Sequence, residues 1–315
     1  MYAMKKPILQ KDVIIIGAGM AGLTAALYAS RLQLSVLVLE NGIVGGQIAN
    51  ATNIENYPGF LQVSGKELIE TLTQQAEHFG AILDEFDTIE RVSLKETPKI
   101  IETADHIYKA SAVIIASGMN RRRLPLPEER RYASRGVHYC ELCDGQRYQD
   151  KTVAVIGGGN AAVDAANFLT KYARKLYIHR STFRADEVSV QRLRDNPKAE
   201  ILLGTEVQAL HGESWLSSID VCDKASGETR SLAVDGIFVN IGVVPNTELF
   251  AQELPLAEGR IRAGEDCRTD IPGVFAAGDV REKEIRQLTT AAADGTTAAL
   301  LAGKYIEQIK RANSR

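Results

Sequence analysis

The chain has 315 residues, 45% of them hydrophobic and 24% charged, and its 37 basic and 40 acidic side chains leave a formal charge of −3. That length suits two ordinary domains, and the apolar share is enough for two cores, which excludes a mainly disordered chain. With no basic excess, no arginine-rich arm and no zinc-finger spacing, nucleic-acid binding is excluded too, and four cysteines are too few for a secreted disulfide scaffold.

The N-terminal dozen residues carry Lys5, Lys6 and Lys11 but no apolar core of the kind a signal peptide needs. Residues 13–30 are uncharged, but Gly17, Gly19 and Gly22 break them into a strand, a turn and a helix, so no membrane span is expected. The expected location is the cytoplasm.

Val13-Ile14-Ile15-Ile16 reads as a buried parallel strand. Gly17-Ala18-Gly19-Met20-Ala21-Gly22 follows, then a small-residue helix, then Val36-Leu37-Val38-Leu39 as a second strand ending in Glu40. Val113-Ile114-Ile115-Ala116-Ser117-Gly118 is a further strand closed by glycine. The whole first unit then returns 140 positions downstream: Val153 to Ile156, Gly157-Gly158-Gly159-Asn160-Ala161-Ala162, a helix from Val163, and Leu176-Tyr177-Ile178-His179 ending at Arg180. The two copies register without a gap, and each is a dinucleotide-binding fingerprint. The first glycine allows the tight turn and the second lets a pyrophosphate approach the backbone. The third (Ala162 in the second copy) lets helix and strand pack closely, and the helix N-terminus attracts the phosphates.

The copies differ at the end of the second strand. Glu40 fits the acid that accepts from ribose hydroxyls, so the first copy is expected to hold an adenine dinucleotide with a free ribose. Arg180, with His179 and Arg184, fits a 2′-phosphate, so the second copy is expected to prefer NADP over NAD. Far downstream, Gly273-Val274-Phe275-Ala276-Ala277-Gly278-Asp279 reads as a buried strand, with Asp279 at its end facing a cofactor hydroxyl or capping the next segment.

Between the fingerprints lies Cys140-Glu141-Leu142-Cys143-Asp144. No second C-x-x-C or histidine cluster is available to complete four zinc ligands, so dithiol redox chemistry is the expected use. Asp144 is placed to supply or remove the proton of thiol exchange, or to cap the following helix. Cys222 and Cys267 are isolated and read as packed or surface thiols. Arg121-Arg122-Arg123 and Arg130-Arg131 form a basic patch, either a solvated face or a steering surface for an acidic protein.

Two fingerprints flanking C-x-x-C-D resemble the low-molecular-weight thioredoxin reductases along nearly the whole chain. The resemblance implies an α/β fold of two Rossmann-like dinucleotide-binding domains, the second inserted in the first: an FAD domain at 1–118 and 245–315, and an NAD(P)H domain carrying the cysteines at 119–244. It implies FAD held by Gly17, Gly19, Gly22, Glu40, Gly46, Gln47, Asn56, Gly118, Gly278, Asp279, Arg286 and Gln287. It implies NADPH at Gly157, Gly159, Asn160, Ala161, His179, Arg180 and Arg184. Cys140 and Cys143 become a redox-active disulfide, with Cys143 toward the flavin and Cys140 attacking thioredoxin or a thioredoxin-like protein. A homodimer is implied as well. The central domain is then expected to rotate about 118–120 and 242–246, because one flavin must serve both NADPH and the cysteines. The segment His179-Arg180-Ser181-Thr182-Phe183-Arg184 departs from the family by one arginine and one residue of length. NADH or reduced ferredoxin is therefore an alternative donor, and another disulfide an alternative partner. A nucleotide-sensing protein without turnover is the reading from a different class.

Overall fold

A computed structural model describes residues 6–42, 44–49, 51, 54–85, 87–180 and 182–313. The chain divides into two compact units, Met1–Asn120 with Val244–Arg315, and Arg121–Val243.

The outer unit is built on a seven-stranded sheet. Its apolar strand Ile8–Ile16 lies between Val36–Glu40 and Ile107–Ile115, parallel to both, and Val274–Ala276 joins the far side of Ile107–Ile115. The strand Ile82–Glu85 pairs parallel beyond Val36–Glu40, while Ile89–Ser93 and Lys99–Thr103 add an antiparallel edge. Alternate residues feed two cores. Val13, Ile15, Val36 and Val38 face the helices Met20–Arg31 and Leu288–Asn313, and Ile14, Ile16, Leu37 and Leu39 face the opposite side. This two-sided burial explains the continuous apolar runs. No helix among the described residues is long and apolar enough to cross a membrane.

The inner unit repeats the plan with five parallel strands in the order Ala199–Leu203, Lys175–Arg180, Thr152–Ile156, Gly236–Val239, Val137–His138. An antiparallel sheet of Thr205–His211, Ser218–Asp223 and Thr229–Ala233 completes it. The mixed α/β architecture with parallel sheets agrees with the sequence reading.

The two glycine turns are close-packed in different ways. A Cβ on Gly22 would stand 1.8 Å from the carbonyl oxygen of Gly17, whereas Ala162 already carries its methyl in the second copy, fully buried. Gly22→Ala is therefore expected to cost the outer unit about 3 kcal/mol by overpacking, while Ala162→Gly keeps the inner unit folded. Thermal unfolding reads both outcomes. Equal tolerance of the two changes contradicts the packing account.

Candidate functional site

Every parallel strand that matters ends toward the same edge of its sheet, where ligands of such sheets bind. In the outer unit Ile16 runs into Gly17, whose φ of 105° puts it in glycine territory. Gly19 ends the turn with nothing within 4 Å of its Cβ position, and the following helix has no side-chain cap. Its first N–H groups are therefore available to an anion. Glu40 accepts the Ala18 N–H at 2.8 Å through Oε2, tying the end of the second strand to the turn.

The loop around Gly46 rests on this turn. Gly45 N–H donates to Ala18 O at 2.9 Å, and the Cβ position of Gly46 lies 3.5 Å from Gly19. The Gln47 amide donates to the Met119 carbonyl, next to Gly118 (φ 65°). Asn56 reaches Gln287 across 231 positions, Nδ2 to Oε1 at 3.3 Å. A Cβ on Gly278 would stand 2.9 Å from Ala21. Of the expected FAD residues, Gly46 and Gly278 thus pack against the first glycine turn and its helix, Gln47 is bonded beside Gly118, and Asn56 is bonded to Gln287. The open Gly19 turn and uncapped helix fit a pyrophosphate. Burial lowers the Arg286 pKa, and the neighbouring Arg260 cation lowers it further.

Asp279 differs from expectation in one respect. The strand stops at Ala276, and Gly278 (φ 78°) turns the chain so that Asp279 lies within the 3₁₀ turn Gly278–Val280. It is neither the strand's last residue nor the cap of the next helix, which starts only at Leu288.

Sequence reasoning missed what holds that turn. Asp294, 6% exposed, accepts from Gly278 N–H at 2.9 Å, from Arg281 Nε and Nη2 at 2.9 Å each, and from Lys283 Nζ at 2.8 Å. Burial alone would raise its pKa, but the hydrogen bonds and charges of Arg281 and Lys283 bring it below the usual carboxylate range. Cys267 packs fully buried beside it, its thiol pushed up to about 12 by burial and the Asp294 charge, which makes it inert. The signal was present: Asp294 is the one acid in the otherwise small and apolar start of its helix. Asn246, expected only as part of the 242–246 hinge, is tied to Ser117. Its amide donates to Ser117 O at 2.8 Å and its carbonyl accepts from Ser117 Oγ at 2.7 Å.

In the inner unit, Gly157 (φ 148°) turns against Asn240, Gly159 is as open as Gly19, and the helix Asn160–Leu169 is also without a side-chain cap. Arg184 N–H donates to Gly158 O at 2.8 Å and Asp186 N–H to Asn160 Oδ1 at 2.9 Å. These bonds lay the segment carrying Arg184 on the glycine turn. Asn240 Nδ2 reaches Ala161 O at 3.5 Å. Ser181 and the side chains of His179 and Arg180 lie outside the described residues.

Cys140 and Cys143 are joined as a disulfide, with their Cα atoms 5.3 Å apart. Cys140 follows the edge strand Val137–His138 and is the N-cap of the one-turn helix Glu141–Asp144. The pair therefore leaves the same edge of the inner sheet as the Gly157 turn. Asp144 ends this helix without capping the next, because its side chain makes no cap hydrogen bond there. Its Oδ2 lies 3.1 Å from His138 Nδ1, and its Oδ1 accepts from Arg147 at 3.5 Å. Cys222 is half-buried and Cys267 buried, both as free thiols.

Two glycine turns and a dithiol on this fold define a flavoprotein-type reductase, and the chain belongs to the pyridine nucleotide-disulphide oxidoreductases, a family that matches residues 11–295. Among named relatives, a 34.2 kDa protein in the rubredoxin operon of Clostridium pasteurianum is 48% identical over 94% of this chain and 97% of its own. The thioredoxin reductase of Bacillus subtilis is 40% identical over 95% of this chain and 96% of its own. The crystal structure of thioredoxin reductase from Streptococcus pyogenes superposes with a TM-score of 0.91 at 38% identity, covering 95% of this chain and 99% of that one.

Proposed function

We propose that the protein is an NADPH-dependent, FAD-containing reductase of thioredoxin or a thioredoxin-like protein, working through the Cys140–Cys143 disulfide. The observation that carries this reading is the disulfide itself, set at the head of a short helix on the ligand-binding edge of the inner sheet. The relatives named thioredoxin reductase, similar along nearly the whole chain, support it.

In this reading Gly17, Gly19 and Gly22 receive the FAD pyrophosphate and Glu40 the ribose. Gly46, Gln47, Asn56, Gly118, Gly278, Asp279, Arg286 and Gln287 surround the rest. Gly157, Gly159, Asn160 and Ala161 receive NADPH, with His179, Arg180 and Arg184 toward its 2′-phosphate. Bound FAD links two-electron hydride transfer to thiol–disulfide chemistry, which no side chain does. On the reduced protein, Asp144 takes the proton of the Cys140 thiol. The Cys140 sulfur attacks the partner disulfide, forming a mixed disulfide as the partner S–S bond breaks, and Asp144 returns the proton to the leaving sulfur. Cys143 then attacks the Cys140 sulfur, restoring the internal disulfide and releasing the partner as a dithiol. Two electrons and two protons pass from the cysteine pair to the partner. The central domain alternates between serving NADPH and serving the cysteines, and the protein works as a cytoplasmic homodimer.

The purified protein is expected to be yellow and to bleach on anaerobic titration with NADPH, with a lower KM for NADPH than for NADH. A colourless protein that recovers no flavin on reconstitution rejects the reading, as does a reduced flavin that never passes electrons to thioredoxin.

A further inference from the structure

We propose that His138 is a positioning residue for the proton-handling carboxyl of Asp144, itself fixed in one tautomer by the Tyr148 hydroxyl. The inference rests on the role given to Asp144 above.

The geometry starts from the sequence. His138 ends the edge strand of the inner sheet, two residues before Cys140, and its cross-strand partner is Phe238. The imidazole is 4% exposed and stacks on the Phe238 ring at 5.4 Å and 30°. Tyr148, 5% exposed, meets the rings of both His138 and Phe238 in T-shaped contacts. It lies over Gly236, where a Cβ would stand 2.4 Å from the ring, so no larger residue could leave Tyr148 in place. Two polar side chains buried this deeply need partners, and here they find each other: Tyr148 Oη is 2.6 Å from His138 Nε2. The other ring nitrogen, Nδ1, is 3.1 Å from Asp144 Oδ2.

Donor inventory sets the direction. Burial raises the Tyr148 pKa, and the charge of Asp144 raises it further against the opposing pull of Arg147, so the phenol keeps its proton. An ionised carboxylate only accepts. A phenol donating to Nε2 leaves the ring proton on Nδ1, the nitrogen that faces Asp144 Oδ2 at 3.1 Å. The charged groups around the trio are Arg147 at Asp144, Lys151 over the Tyr148 ring at 5.6 Å, and Asp235 acting on the phenol. The chain runs from a rigid aromatic seat to the residue adjoining Cys143. A carboxyl held in one rotamer meets the departing thiolate in alignment, and general acid–base catalysis depends steeply on that alignment. His138 itself exchanges no proton with the sulfurs and acts through Asp144.

The test uses the FAD-loaded full chain with thioredoxin as substrate. His138→Leu is expected to lower kcat about tenfold, a fraction of what a positioned acid–base group contributes, with KM for thioredoxin unchanged. His138→Asn, whose amide N–H can stand where Nδ1–H stood, is expected to recover most of that loss, whereas His138→Gln is not. Tyr148→Phe keeps the ring packing and loses a few-fold in kcat. Rapid-mixing reduction of the flavin by NADPH stays at the wild-type rate in all of them. In the double variant His138→Leu/Asp144→Asn the two losses do not add, because the histidine acts only through the carboxyl. Undiminished kcat in His138→Leu overturns the proposal, as do additive losses or an Asn variant no better than Leu. If Asp144→Asn alone turns over normally, the role of Asp144 fails first and the proposal falls with it, a result separable from normal turnover in His138→Leu beside a crippled Asp144→Asn.

Discussion

Cys140→Ser and Cys143→Ser are each expected to lower NADPH-driven reduction of thioredoxin at least about a thousandfold, the scale on which loss of an enzyme's nucleophile is felt. The reason is stoichiometric as well as kinetic. A disulfide exchange needs one sulfur to attack and a second to resolve the mixed disulfide, and serine supplies neither at neutral pH. The change leaves the glycine turns of both units untouched, since the cysteines belong to a single short helix turn after an edge strand. Flavin content and the rate of flavin reduction by NADPH are therefore expected to match wild type. Stopped-flow absorbance separates the two half-reactions. A double-serine protein that still reduces thioredoxin at native speed contradicts the whole relay.

The largest structural effect is expected at Asp294. Asp294→Asn leaves the guanidinium of Arg281, 1% exposed, and the ammonium of Lys283 side by side without their shared anion. Breaking a buried ion cluster by removing one partner costs about 3–5 kcal/mol, and a domain of this size then melts roughly 10 °C lower. Flavin retention falls as well, because Asp294 also anchors the Gly278 amide at the head of the turn that carries Asp279. The same residue sets an acid limit. Its folded-state pKa is depressed, so its stabilising contribution is complete above the unfolded carboxyl value of about 3.9 and is lost as pH falls through the lower folded value. Wild type is thus expected to lose stability on acidification through that window, and Asp294→Asn to lose less there. Thermal unfolding across pH 2 to 6, roughly the titration range of such a carboxyl, reads both effects. Parallel pH profiles for the two proteins contradict the assignment.

Much of this was legible in the chain itself. The repeat could be read because strand, glycine turn and helix are local: Gly17 and Gly22 lie in one turn, and so do Gly157 and Ala162. The C-x-x-C-D segment was legible for the same reason, since its sulfurs pair across a single helical turn. Asp279 was misplaced by one structural step because Gly278 adopts a positive φ that apolar patterning does not encode. The Asn56–Gln287 bond and the Arg281–Asp294 cluster were invisible because their partners meet only after separate elements pack. His138 was passed over because a single histidine on a strand looks like any core residue until Tyr148 and Asp144 stand on either side of it.

The amino-acid order thus determined the strands and helices of the two repeats, their glycine turns, the dithiol and the family, all of which depend on neighbours within a few residues or on the period of apolar side chains. Tertiary structure decided which buried charges are paired, which loop closes on which turn, and how the Asp144 carboxyl is held. Those outcomes depend on distances between groups far apart in the chain. They are fixed by the burial of polar atoms that must find partners once water has been excluded.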